Sequence, residues 1–308
     1  MHISKARDSF QRTPVLKVAV YGASGAGKTE WAARSPRPLI LLTEPQGLAS
    51  IMSANPDATV VQITSWADFR KIFDATKLAK IINIDGQNAC EIEIDGEKIV
   101  FQTLVVDSFT DLQRLAINKL AGVETGNRDR LDFDGGAINM TIEKWGQLTS
   151  GCESVWSQQR TLPCNTIFLF LAEDKTDDQQ VKTTIPMLAG QKLPYSMGQF
   201  FNAVGLAMVR RTGEGLQHII RWQSATTSAL TKPAPGWPTA TVNTRSEGET
   251  TLGSLLMYSF PDLVVAHEEN DSADFVIRAN GGVSIQQTAN TSETTEETKS
   301  EQNRRRRA

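Results

Sequence analysis

Short blocks of consecutive apolar residues alternate with stretches of mixed polarity along most of the chain. The first block, Val15 to Tyr21, follows Pro14, contains several β-branched residues and runs into a glycine-rich turn, so it predicts a buried strand. Lys28–Ala33, just after the turn, is expected to open a helix. Leu39–Leu42, stopped by Pro45 and Gly47, and Thr59–Ile63 predict two more strands. Trp66–Ala79 carries apolar residues at 66, 69, 72 and 73, the spacing of one helical face. Glu91–Phe101 alternates around Asp95-Gly96, which predicts a hairpin inserted as a surface decoration. Leu104–Val106 predicts a buried strand ending at Asp107-Ser108. Beyond it the pattern predicts a helix over 109–121, a polar loop over Gly122–Gly136, and a long helix over Ile138–Gln159 with Trp145 and Trp156 in the core. Thr166–Leu171 is the last strongly apolar strand, and the polar stretch after it reads as a loop. Phe200–Val209 and Leu216–Trp222 predict further strands around a turn at Thr212–Gly215. Lys232–Pro238 reads as irregular and Leu252–Tyr258 as a short helix.

Continuous apolar strands interleaved with helices describe an α/β chain with a mostly parallel central sheet flanked by helices. The expected organisation is a flexible arm over 1–13, one domain over 14–265, and a tail over 266–308. The tail is rich in Glu, Thr, Ser, Asn and Gln and ends in Arg304–Arg307. With few large apolar residues it cannot offset its ordering entropy, so disorder is expected there. The 308 residues, 40% hydrophobic, suffice for one large core. A net charge of −3 excludes a protein that coats nucleic acid by overall positive charge, though not one with a local basic patch. Cys90, Cys152 and Cys164 have no paired spacing, which predicts neither a disulfide framework nor a zinc site and fits a reducing compartment. No apolar run approaches the roughly 18 residues of a membrane span. The N-terminus lacks the apolar stretch of a signal peptide. The expectation is a cytoplasmic protein without a membrane partner.

The chemistry is concentrated in Gly22-Ala23-Ser24-Gly25-Ala26-Gly27-Lys28-Thr29, which fits G-x-x-x-x-G-K-[ST] throughout. Glycines let backbone N–H groups turn inward onto phosphate oxygens, and the following helix points its positive end at the same anion. Lys28 is expected to reach the β- and γ-phosphates of ATP, and the Thr29 hydroxyl to hold Mg²⁺. The apolar run ending in Asp107 supplies the second carboxylate strand, with Asp107 reaching Mg²⁺ through water. Many such ATPases place a Glu directly after this Asp, but here the position is Ser108. The group that activates water must therefore come from elsewhere, or hydrolysis is inefficient. Glu44, at the end of the strand that follows the P-loop helix, is the best candidate, although it also fits a turn-capping role with Pro45 and Gly47.

The Leu41-Leu42-Thr43-Glu44 strand end and Val105-Val106-Asp107-Ser108 resemble the RecA-like P-loop ATPases. The overall plan is closest to phage-encoded AAA-like nucleotide-binding proteins, some of which are single-strand annealing ATPases. Lys144-Trp145-Gly146 and Ile185–Gly190 agree with that plan. The resemblance covers roughly 14–225. It implies an ATP- and Mg²⁺-dependent ATPase on single-stranded DNA in recombination, annealing or replication. It also implies a homo-oligomeric ring or filament, recombination or single-strand-binding partner proteins, and a bacterial host cell. Its two DNA-binding loops would correspond to Gly122–Gly136 and Asp174–Thr184, with Arg128, Arg130, Lys175 and Lys182 set to meet phosphates. Both loops also carry acids, and Phe133 is the sole aromatic there for base stacking. The family's polar sensor position falls near Glu173 and Asp174, a departure that puts coupling to DNA in doubt. Lys232 and Arg221 are candidates to reach a neighbouring subunit's nucleotide, but nothing in their spacing is diagnostic and the reading as ordinary surface charges is the stronger one. Two alternatives stand beside this reading. One is a small-molecule kinase, against which the chain lacks an Arg-rich lid between 110 and 190. The other is a nucleotide-dependent assembly protein with little hydrolysis.

Overall fold

A computed structural model describes residues 15–84, 87–122, 140–176, 178, 180–213, 215–224 and 229–242, together with two short strands near the C-terminus. The strands are β1 Lys17–Gly22, β2 Pro38–Leu42, β3 Thr59–Gln62, β4 Lys80–Ile84, β5 Gln87–Ile94, β6 Glu97–Phe101, β7 Thr103–Asp107, β8 Asn165–Thr176, β9 Lys182–Pro186, β10 Ala203–Thr212, β11 Gly215–Arg221 and β12 Ala240–Val242. The helices are α1 Lys28–Ala33, α2 Leu48–Ala54, α3 Trp66–Lys77, α4 Phe109–Ala121, α5 Ile142–Gln159 and the single turn α6 Leu193–Ser196.

The main sheet has the order β12-β11-β10-β1-β8-β7-β2-β3. From β10 to β3 every pairing is parallel; β11 and β12 add an antiparallel edge. β1, β2 and β7 are buried along their whole length, as both-face coverage of parallel strands requires. Side chains alternate between two cores. Ala19, Tyr21, Leu104, Val106, Phe168 and Phe170 face a core shared with α3, α4 and α5. Val18, Val20, Ile40, Val105, Ile167 and Leu169 face a second core shared with α1 and α2. Trp156 packs among Phe109, Phe170, Phe200 and Phe201 as expected, whereas Trp145 is 39% exposed.

Helix starts follow side-chain caps. Ser65, Ser108 and Thr141 accept the amides of Asp68, Asp111 and Lys144. The cap at Thr141 begins α5 at Ile142, later than the pattern predicted. α4 stops at Gly122, whose φ of 79° suits a left-handed cap.

Two readings are corrected. The Asp95-Gly96 turn is present, with φ of 53° and 84°. The hairpin is not mere decoration: β4 joins it, and Ala89, Cys90, Ile92 and Phe101 are buried. Nor is 174–184 a simple loop. β8 continues to Thr176 and pairs with β9, so the segment is largely a hairpin. The arm over 1–13, Gly122–Gly136 beyond its first residue, and Leu252–Tyr258 lie outside the described residues. So does the tail, apart from Ala273–Ile277 and Val283–Gln287, which pair with each other antiparallel. Among the described residues no helix is long and apolar enough to cross a membrane.

Candidate active site

The P-loop joins the end of central strand β1 to α1. Gly22 lies so close to β10 that an added Cβ would sit 2.3 Å from the Ala207 carbonyl oxygen, so only glycine fits. Gly27 has φ of 83° at the start of α1, a conformation open to glycine at little cost. Lys28 is buried and donates from Nζ to the carbonyl oxygens of Gly22 (2.8 Å) and Ala23 (2.9 Å). Burial pulls its ammonium pKa down, against the opposing charges of Asp107 and Glu44. The side chain therefore already lies within the loop that the motif assigns to phosphate.

Thr29 Oγ1 donates to Asp107 Oδ2 at 2.7 Å, bridging the start of α1 and the end of β7. Burial pushes the Asp107 carboxyl up, against the Thr29 hydrogen bond and the Lys28 charge. A hydroxyl and a buried carboxylate side by side are hard oxygen donors and fit Mg²⁺. Gly47 helps to leave this space open: a Cβ there would lie 2.9 Å from Leu42 Cδ1 and 3.9 Å from Asp107 Oδ2. Thr29 and Asp107 are thus the residues that would hold the ion, which neutralises phosphate charge when bound.

Strand register brings Glu44 to the same place. Leu42 on β2 pairs with Asp107 on β7, so Thr43 and Glu44 extend just past the Asp107 level. Thr43 fastens the two strand ends. Its amide donates to the Asp107 carbonyl oxygen (2.7 Å), its hydroxyl donates to the same oxygen (3.1 Å), and the Ser108 amide donates to its Oγ1 (2.9 Å). The Asp107–Ser108 peptide is cis. The nearby Asp111 carboxyl in the first turn of α4, together with partial burial and the charge of Asp107, pushes the Glu44 carboxyl up to about 7. Burial pushes Asp111 up as well, but Glu44, Ser108 and Arg114 outweigh it and hold Asp111 below the ordinary carboxylate value.

Lys28, Thr29, Asp107 and Glu44 are therefore gathered at one end of the sheet. Sequence reasoning did not single out Thr43 or Asp111. The Ser108-x-x-Asp111 spacing, a helix-start signature, was the available signal for Asp111. Thr43 had none, because its role depends on a long-range register.

The other candidates fall elsewhere. Lys175 and Lys182 sit on the β8–β9 hairpin, where Lys175 pairs with Glu173 (3.3 Å) and Lys182 with Asp174 (2.8 Å). Arg128 and Arg130 lie outside the described residues. Lys232 Nζ donates to the carbonyls of Gly198 and Phe201 in its own chain, and Arg221 pairs with Leu206 within the sheet. A cavity of about 360 Å³ opens between the tip of the P-loop at Ala23 and Ser24, Glu173 and Asp174 of β8, and Met208 of β10. Among the described residues no cluster of His, Cys, Asp and Glu forms a separate metal site.

Residues 15–239 match the AAA domain family. The chain belongs to that family. With the P-loop geometry above, this makes it a nucleotide-binding ATPase of the P-loop class. No curated protein matches the chain. Among solved structures it is similar to a KaiC-like protein of the hyperthermophilic archaeon Pyrococcus horikoshii OT3. That match has 12% identity, covers 88% of this chain and 89% of that one, and has a TM-score of 0.33. It is also similar to the flagellar accessory protein FlaH of Methanocaldococcus jannaschii, with 9% identity, coverage of 92% and 98%, and a TM-score of 0.34. At such scores the likeness adds nothing to the strand order itself.

Proposed function

We propose that this AAA-domain ATPase hydrolyses ATP with Mg²⁺ and acts on single-stranded DNA in phage-type recombination, annealing or replication. The observation that carries hydrolysis is the meeting of Lys28, the Thr29–Asp107 pair and the Glu44 strand end at one edge of the sheet. In this reading Lys28 and the P-loop amides bind the β- and γ-phosphates. Thr29 and Asp107 hold Mg²⁺. Glu44 accepts the proton of the attacking water as it forms a bond to the γ-phosphorus, and the ADP oxygen departs. Action on DNA is supported by the β8–β9 hairpin, which carries Lys175 and Lys182 and grows from the strand beside β1. Self-pairing of these lysines with Glu173 and Asp174 means that DNA phosphates must displace carboxylates, so the contact is salt-sensitive and modest. The chain is read as a homo-oligomer working with recombination or single-strand-binding partners.

The test is steady-state ATP hydrolysis with and without single-stranded DNA, beside Lys28→Ala. Turnover that rises with DNA and vanishes in the variant supports the whole reading. Turnover indifferent to DNA leaves an ATPase of another role. ATP binding without turnover points to a nucleotide-dependent assembly protein.

A further inference from the structure

The two strands that flank β1 both outlast it. β1 stops at Gly22, level with Leu171 of β8 and Ala207 of β10, and turns into the P-loop. β8 runs on to Thr176 and returns as β9, and β10 runs on to Thr212 and returns as β11. The cavity at the P-loop tip lies between these extensions, with Ala172, Glu173 and Asp174 on one side and Met208 and Val209 on the other. The two hairpins differ in charge. On β8–β9 the lysines are engaged within the hairpin, Lys175 with Glu173 and Lys182 with Asp174, and Asp178 stands exposed at the turn. On β10–β11 the exposed Arg210 and Arg211 follow directly on Val209 at the cavity. Arg210 donates to the neutral Gln217 opposite it (3.3 Å), and among the described residues neither arginine has a carboxylate in ion-pair range. Glu214, in the turn, lies outside the described residues.

We propose that Arg210 and Arg211 are the principal phosphate contacts for single-stranded DNA, which lies in the cleft between the two hairpins, with Lys175 and Lys182 secondary to them. The inference rests on the DNA reading above and names its surface. A phosphate that reaches Arg210 displaces only a neutral amide, whereas at Lys175 or Lys182 it must displace a carboxylate. A guanidinium is weakly hydrated and offers a planar fork that matches phosphate oxygens. From Met208 outward, among the described residues, the β10 edge that pairs with β1 has no strand beside it. Successive side chains of a strand alternate in direction, so Arg210 and Arg211 flank this open edge and a strand crossing it meets both. The outer parts of the two hairpins carry no Phe, Tyr or Trp among the described residues, so the contact is to the backbone and not to stacked bases. The cleft also adjoins the phosphate site, since Lys28 Nζ lies 2.9 Å from the carbonyl oxygen of Ala23, which lines the cavity.

The test is binding of a fluorescent oligo-dT to the full chain, followed by anisotropy across a salt series. Each phosphate contact on a single strand contributes about 0.7 to the slope of log affinity against log salt. The double variant Arg210→Gln, Arg211→Gln should lower that slope by about 1.4 and weaken binding by about tenfold or more. Lys175→Gln with Lys182→Gln should move both quantities less. Arg210→Lys with Arg211→Lys keeps the charge and should keep the slope, which a merely structural role for the arginines would not predict. An abasic strand of equal length should bind about as well as oligo-dT, because the contacts are to phosphate. Parental affinity and slope in the glutamine variant of the arginines, or a larger loss in that of the lysines, overturns the proposal and leaves the DNA reading standing. A parent chain that binds no oligo-dT removes the DNA reading and the proposal with it.

Discussion

The phosphate half of the site comes from one unbroken segment, Gly22–Thr29, whereas the carboxylate half is gathered from the ends of β2 and β7 and the first turn of α4. The first half depends on local geometry: a glycine pressed against β10, a left-handed Gly27, and a lysine turned into its own loop. The second half depends on register. Glu44 reaches Asp107 because β2 and β7 are paired, and Thr43 locks that pairing at the point where both strands end. Damage to the first half should therefore remove nucleotide binding and turnover together. Damage to the second should remove turnover and leave binding.

The contrast can be sharpened by variants of decreasing effect. Lys28→Ala should lower ATP turnover by about 10²–10³-fold, the scale of losing one charge-stabilising donor, and should weaken ATP binding. Phosphate release and ATP titration measure both. Gly22→Val forces a side chain into the Ala207 carbonyl oxygen and should destabilise the fold by about 1–3 kcal/mol in chemical denaturation. It should also weaken ATP binding, because the loop is displaced. Thr43→Val removes the acceptor of the Ser108 amide and should cost about 1–2 kcal/mol. Turnover should fall roughly tenfold, the order expected when a reacting group is misplaced, with ATP binding retained. A Thr43→Val enzyme that also loses ATP binding would erase the proposed division. The mildest perturbation is pH. Glu44 works as its carboxylate and is pushed up to about 7, so turnover should climb as pH rises through that value. A profile already flat below it would show that Glu44 ionises elsewhere or is not the base.

The division also explains what could be read from the residues alone. Gly22–Thr29 is legible because its chemistry needs particular residue types at fixed local offsets. Asp107 is legible as the polar end of an apolar strand. Glu44 could be placed at a strand end on the ligand-binding edge of the sheet from the absence of a Glu at 108, but the pairing of its strand with the Asp107 strand could not be read, since no local pattern states which strands pair. β4, Lys80–Ile84, was missed because none of its residues is buried and Lys80 and Asn83 dilute its apolar signal. The outer part of β8 was missed for a related reason. Ala172–Thr176 has weak strand preference and is held by cross-strand partners, including Thr184 Oγ1 and Lys182 on Asp174. Tertiary partners decided these elements.

The most direct test of the central claim is Glu44→Gln, with ATP binding and single-turnover hydrolysis measured on the same preparation. The substitution keeps the shape and removes the base. The account predicts ATP affinity within about twofold of the parent and hydrolysis slowed by about 10²–10⁴-fold, the range of general-base catalysis. Hydrolysis at the parental rate would contradict it and place the water-activating group outside the β2 strand end.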